Sequence, residues 1–298
     1  VTSRQESSFH GAGGLEIYWR AWLPGTVARA VVVIAHGAGE HSGRYPHVAS
    51  RLVDEGYAVY AIDHRGHGRS QGPRALIDRL VNAVADLDML VLLAAGEHPG
   101  VAVFLLGHSM GATISLSYAT RHQDRLSGLV LTGPLAAIEA VPAPVRVAAR
   151  TISALAPRMP MTKIDASLVS RDAAVVQDYE RDPLVHHGKL PVRTVTEIAT
   201  AIESFPAGVS AITVPTLIMY GTADGLCPPR GSLMLSQRIG STDKTLQSYA
   251  GLYHEILNEP ERDQVLADLC GWLAAQIADL EAQAAVSPPA SENRQPLK

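Results

Sequence analysis

The sequence predicts an α/β chain, a doubly wound and mostly parallel sheet with a helical cap inserted between two of its later strands. Three observations carry this expectation. Short unbroken apolar runs recur along the chain, as strands covered on both faces require. Amphipathic stretches of helix length separate them. The rhythm stops between Gly133 and about Gly208, where prolines and helix-like patches replace any central-strand run.

Leu15, Ile17, Trp19 and Ala21 alternate with polar or half-polar neighbours and suit a strand with one buried face. Continuous apolar runs follow at 30–35, 57–62 and 101–106, and similar ones at 126–132 and 215–220. A strand-like stretch occupies 244–249. Helices are expected at about 46–55, 78–95, 110–121 and 229–239. A last helix at about 261–281 begins after Pro260, with Glu261 and Asp263 suiting its positive amino end. The expected organisation is a first part of the core at 1–133, a cap at 134–208, a second part of the core at 209–283 and a disordered tail at 284–298.

The chain has 298 residues, 47% apolar and 18% charged, enough for a large core and too apolar for global disorder. A net charge of −4 disfavours a nucleic-acid partner, which calls for a basic face. No apolar run approaches the roughly 18 residues of a membrane-crossing helix. The amino end is polar with no signal-peptide core behind it, so a cytoplasmic location is expected, with peripheral membrane contact left open. Two cysteines, Cys227 and Cys270, make no disulfide framework and are expected as free thiols.

The strongest chemical signal is Gly107-His-Ser109-Met-Gly111, a G-x-S-x-G pattern placed directly after the apolar run 101–106 and opening a helical stretch. A sharp strand-to-helix turn needs small neighbours and pushes the serine hydroxyl out at the carboxyl end of the sheet. Gly68-Arg-Ser70-Gln-Gly72 matches the same pattern, but with neither incoming strand nor outgoing helix, so Ser70 reads as a loop serine and Ser109 as the nucleophile. A serine hydroxyl needs a base, and the base needs a group to orient it. In this kind of sheet the chain order is Ser, acid, His. Asp224 follows the run 215–220 in Gly221-Thr-Ala-Asp224-Gly225, and His254 follows 244–249 in a loop ahead of the last helix. Taken singly, Asp224 could be a turn former and His254 one loop histidine among 12; together with the elbow they form an acid–base pair.

Oxyanion donors are expected from the backbone. His36-Gly37-Ala38-Gly39-Glu40 follows the run 30–35, and its glycines let the Ala38 N–H approach a reacting carbonyl; the second donor is the Met110 N–H. There is no Gly-Lys-Ser/Thr or dinucleotide glycine spacing, so a phosphate cradle is disfavoured. The histidines of Asp63-His64-Arg65-Gly66-His67-Gly68-Arg69-Ser70 read as part of a structural turn rather than a metal site. No metal and no organic cofactor is expected.

These motifs resemble the serine α/β-hydrolases. The strings His36-Gly-Ala-Gly-Glu-His-Ser-Gly-Arg44-Tyr45, Gly107-His-Ser-Met-Gly111, Asp182-Pro-Leu-Val-His-His-Gly188 and Tyr249-Ala-Gly-Leu-Tyr-His254-Glu255 are similar to those of monoacylglycerol lipases, the bacterial ones above all. The resemblance runs from about residue 9 to 280. It implies the α/β-hydrolase fold, a triad of Ser109, Asp224 and His254, oxyanion amides at Ala38 and Met110, and glycerol contacts from Glu40, Arg44 and Tyr179. Cys227 matches a cysteine of mammalian members, and Ala112 stands where many relatives have glycine. The implied reaction is hydrolysis of monoacylglycerol to glycerol and fatty acid through an acyl-enzyme. The alternatives are a broader carboxylesterase or lysophospholipase and, in another class, a hydrolase-fold protein that binds without turnover. In the cap, Val145, Ala148, Ile152 and Leu155 recur at helical spacing, and Arg146, Arg150, Arg158 and Lys163 occur with no acid among them. Two readings stand for that segment, docking on a lipid surface or packing on the core with solvated arginines. Oligomeric state is left open.

Overall fold

The computed structural model describes residues 3–138 and 142–286. An eight-stranded sheet runs β1 (Ser3–His10), β2 (Glu16–Leu23), β4 (Tyr57–Ile62), β3 (Ala30–Ala35), β5 (Ala102–His108), β6 (Gly128–Thr132), β9 (Thr216–Gly221), β10 (Lys244–Tyr249) in spatial order. Only the β1–β2 and β2–β4 pairs are antiparallel. The remaining pairs are parallel.

Strand β3 shows why the apolar runs are unbroken. Val31, Val33 and Ala35 join the core on one face of the sheet, while Ala30, Val32 and Ile34 join the core on the other. Helices α2 (Leu80–Glu97) and α3 (Met110–His122) cover the first face. Helices α1 (Pro46–Asp54) and α8 (Arg262–Val286) cover the second. Strand β1 escapes the sequence reading because it is an exposed polar edge strand, Ser-Arg-Gln-Glu-Ser-Ser-Phe-His, paired with β2 along its whole length. Helix α8 also runs five residues past its expected end at 281; of the expected tail, 284–286 are helical and 287–298 lie outside the described residues.

The chain between β6 and β9 holds α4 (Ala143–Leu155), α5 (Ala173–Arg181), α6 (Val192–Gly208) and a two-stranded antiparallel ribbon, β7 (Pro160–Lys163) with β8 (Lys189–Pro191). The ribbon has no alternating apolar pattern to announce it; all four β7 residues are exposed. Helix α6 belongs as much to the core as to the insertion. Ile198, Ala201, Ile202 and Phe205 pack into the first core, and Thr194 Oγ1 accepts the Ile77 N–H and donates to the Ala75 carbonyl. Helix α7 (Arg230–Arg238) closes the layer beside β10. Both cysteines are free and buried.

Helix α4 is amphipathic with its apolar side outward. Ser153 bonds Thr196 of α6, and Arg146 and Arg150 pair with Glu203 of the same helix. Val147 and Leu155 are left 63% and 82% exposed. Two of the four cap cations, Arg146 and Arg150, are thus ion-paired to α6 while still largely exposed. No described helix is long and apolar enough to cross a membrane.

Candidate active site

Strand β5 ends at His108 and α3 starts at Met110, so Ser109 alone makes the turn, at φ 53 and ψ −117. Positive φ costs a non-glycine residue on the order of 1–3 kcal/mol, and tight surroundings must hold it there. They do. The Ser109 N–H donates to the Thr132 carbonyl at 3.1 Å. A Cβ at Gly111 would stand 2.0 Å from the Ala35 carbonyl oxygen, and one at Gly107 2.5 Å from Ser115 Oγ. Any side chain at either position would force α3 away from β3 and β5.

Asp224 and His254 come from loops after β9 and β10, and they meet: His254 Nδ1 lies 2.8 Å from Asp224 Oδ2. The other carboxylate oxygen, Oδ1, accepts the N–H groups of Leu226 and Cys227 at 2.9 and 2.8 Å. With Nδ1 donating to the carboxylate, Nε2 is the nitrogen left to exchange a proton with a neighbour. Burial opposes charge on His254, but Cys227 and Asp224 outweigh it and raise its pKa well above the ordinary histidine value.

The third expected contact is not made. Among the described residues Ser109 Oγ has no hydrogen bond with His254 Nε2; both face the Cys227 thiol, at 3.7 and 4.0 Å. Rotation about the serine Cα–Cβ bond is the torsion that moves Oγ, and hydrolases without substrate often hold this contact long. The Ala38 and Met110 N–H groups have no acceptor among the described residues. Both residues border the elbow: Met110 as the first residue of α3, whose N–H has no partner one turn back, and Ala38 as part of the cavity wall beside Ser109.

Of the three expected glycerol contacts, two are engaged with each other. Glu40 Oε1 accepts the Gly37 N–H at 2.6 Å and the Tyr45 hydroxyl at 2.8 Å, and Oε2 accepts Arg44 at 3.0 Å. Burial works against the Glu40 charge, yet Arg44 and nearby donors hold its pKa at about 2. Arg44 also grips Glu255 through both of its terminal nitrogens, at 2.5 and 2.8 Å, and stacks over the Tyr179 ring at 4.8 Å. Glu40, Glu255 and Tyr179 line the cavity, and Arg44 stands behind them. The sequence reading missed Glu255 as a site residue, although it follows His254 directly and stands in the string Tyr249–Glu255. It also gave no role to Asp182, whose Oδ2 lies 2.8 Å from His41 Nε2 and so ties the cap to the loop after β3. The His186 N–H adds a bond to the Gly39 carbonyl at 2.7 Å.

Ser109, His254 and Glu40 open into a cavity of about 220 Å³. It shares Ala38, Leu135, Thr162 and Leu190 with a second cavity of about 300 Å³, which extends past Ile138, Val145, Ala149 and Ile198 under α4. One polar end and one apolar arm therefore meet near Ser109. Ser70 sits elsewhere, donating to the Asp63 carbonyl and accepting the Tyr18 N–H, as a structural serine. Asp63 accepts from the Ser42 N–H and hydroxyl and from the Arg69 N–H, so the 63–70 string is a buried turn.

A hydroxyl on a strand-to-helix elbow, ahead of a sheet-end carboxylate and an imidazole bonded to it, on this strand order, defines a serine α/β-hydrolase. The family model described as "Serine aminopeptidase, S33" matches residues 26–261. A monoacylglycerol lipase of Mycolicibacterium smegmatis is 44% identical over 277 residues, 93% of this chain and 99% of that one. The monoglyceride lipase of Rattus norvegicus is 35% identical over 90% of this chain and 89% of its own. The crystal structure of a Paleococcus ferrophilus monoacylglycerol lipase matches with a TM-score of 0.77 at 29% identity, covering 93% of this chain and 99% of that one. The chain belongs to the monoacylglycerol lipase family of serine α/β-hydrolases.

Proposed function

We propose that the protein hydrolyses monoacylglycerols, with Ser109 as nucleophile, His254 as general base and then acid, and Asp224 orienting the imidazole. The observation that carries this reading is the two-part cavity, a polar end and an apolar arm joined at Ser109. The arm takes the acyl chain. The polar end, with the Tyr179 hydroxyl, Glu40 and Glu255, takes the glycerol; Arg44 fixes both carboxylates from behind. A peptide substrate, as the family description would suggest, has no use for so apolar an arm.

Ser109 attacks the ester carbonyl as Nε2 takes its proton. The Ala38 and Met110 N–H groups receive the negative oxygen, each such donor being worth about 3 kcal/mol in the transition state. His254 returns the proton to the departing glycerol oxygen. Water, deprotonated by the same nitrogen, then releases the fatty acid and regenerates Ser109.

The outward apolar side of α4, with Met159 and Met161 beside it, suits shallow docking on a lipid surface. Arg158 and Lys163 stand in the same segment to meet anionic headgroups. The two free buried thiols fit the reducing compartment expected from the sequence. Rates across mono-, di- and triacylglycerols and short soluble esters test the reading. Long-chain monoacylglycerols are expected to be best; preference for short esters would assign a broad carboxylesterase instead.

A further inference from the structure

Cys227 has no part in the reaction above, yet it occupies the centre of the site. Its Sγ is 3.7 Å from Ser109 Oγ and 4.0 Å from His254 Nε2. It is only 5% exposed but lines the cavity that admits substrate. Asp224, Cys227 and His254 are all buried and bring a carboxylate oxygen, a sulfur and a ring nitrogen within 4.8 Å of one another.

We propose that this cluster is an inhibitory zinc site, with Cys227 Sγ and His254 Nε2 as protein ligands and Ser109 Oγ or water completing the tetrahedron. Zinc–sulfur bonds are about 2.3 Å and zinc–nitrogen bonds about 2.0–2.1 Å, so a tetrahedral angle sets sulfur and nitrogen about 3.5 Å apart. The 4.0 Å separation needs about half an ångström of side-chain adjustment. For sulfur and the serine oxygen the tetrahedral separation is again about 3.5 Å, against 3.7 Å in the structure. Asp224 serves as the outer partner: it accepts the Nδ1–H hydrogen bond and so turns Nε2 toward the ion, the carboxylate–histidine arrangement that zinc sites use.

Donor chemistry selects the ion. Sulfur and imidazole favour Zn²⁺ over Mg²⁺ and Ca²⁺, which prefer oxygen. On binding, the one proton held between Cys227 Sγ and His254 Nε2 leaves to solvent as the zinc–thiolate and zinc–imidazole bonds form, with no change of oxidation state. The ion occupies the same Nε2 lone pair that would accept the Ser109 proton, so binding and turnover exclude each other. The metal site stands on geometry alone; its inhibitory effect rests on the roles given above to Ser109 and His254.

The test uses the full chain, with Co²⁺ as a visible probe and Zn²⁺ for calorimetry and rates. One equivalent of Co²⁺ is expected to give a thiolate-to-cobalt band in the near ultraviolet and intense tetrahedral bands in the visible. Cys227→Ala, Cys227→Ser and His254→Ala should lose that spectrum and bind Zn²⁺ roughly 100-fold more weakly, the upper end of what loss of a supporting group alone costs. Micromolar Zn²⁺ should cut monoacylglycerol hydrolysis at least ten-fold in the wild type, reversibly on chelation, while millimolar Mg²⁺ or Ca²⁺ does not. The cysteine variants, each scored against its own metal-free rate, should resist. Wild-type zinc affinity in both cysteine variants, or a cobalt complex without the thiolate band, would overturn the site. Cobalt binding with the thiolate band, together with undiminished hydrolysis by Ser109→Ala, would uphold the site and reject the proposed catalytic roles.

Discussion

Lowering the pH from 6.5 to 5.5 should remove about 2 kcal/mol of folding stability, because the loop after β4 buries two histidines that cannot charge. His64 and His67 are 0% and 2% exposed, and their rings sit tilted against His36 with centroids 4.6 and 5.4 Å away. Both nitrogens of the His64 ring and Nε2 of His67 are without a hydrogen-bond partner among the described residues. Burial, reinforced by neighbouring histidines, pushes His64 well below its ordinary pKa of 6.5 and His67 down to about 3. The folded pKa values are thus depressed, so between about 6.5 and 3 the unfolded chain binds more protons and stability falls with pH. Each ring loses about 1 kcal/mol over the first unit and about 1.3 over the next. Burial also lowers His36, His47, His98 and His108, which adds loss of the same sign. His254 is raised, so its contribution is fully present below 6.5 and adds no slope there. Glu40, held at about 2, begins to matter only below its ordinary value of 4.5. Urea unfolding at pH 7.5, 6.5 and 5.5 measures the slope, and His67→Gln should reduce it by about 1.2 kcal/mol per unit near pH 5.5. Stability constant to within about 0.5 kcal/mol from pH 6.5 to 5.5 would refute the argument.

Asp224→Asn leaves the fold in place and removes the group that orients His254; kcat should fall by about 10²- to 10⁴-fold, and unchanged steady-state turnover would take Asp224 out of the mechanism. Arg44→Ala strands two buried carboxylates, Glu40 and Glu255, and should destabilise the protein by about 3–5 kcal/mol in denaturant titration. A loss below about 1 kcal/mol would mean that the pair relaxes into water. Ile152→Glu combined with Leu155→Glu should weaken co-sedimentation with anionic vesicles and slow hydrolysis of vesicle-borne substrate, while rates on a soluble short ester stay the same. Equal loss on both substrates would place the effect in the cavity rather than at the membrane.

The central architecture is legible in the sequence because central parallel strands have no polar face to confuse the pattern: 30–35 and 57–62 match their strands end to end. Edge structure is not legible. Strand β1 and ribbon β7–β8 owe their conformation to backbone pairing, which leaves no mark on side-chain choice. Helix α4 carries a clear period, but periodicity gives the apolar stripe and not the direction it faces; here Val147 and Leu155 are exposed while Val145 and Ala149 line the cavity beneath the helix. The placement of Ser109, Asp224 and His254 after β5, β9 and β10 is legible from order and loop position, since each follows a strand at the same rim. The engagement of Arg44 with Glu255 is not, because residues 211 apart in sequence meet only through the whole sheet. The placement of Cys227 between Ser109 and His254 depends on side-chain rotamers, which no motif encodes.

Intact-mass and peptide-mass measurement after treatment with a long-chain alkyl fluorophosphonate tests the nucleophile assignment most directly. One phosphonyl group on Ser109, lost in Ser109→Ala and strongly slowed in His254→Ala, is the expected result. A folded wild type that takes no label, or takes it on another residue while Ser109→Ala still hydrolyses monoacylglycerol, would contradict it.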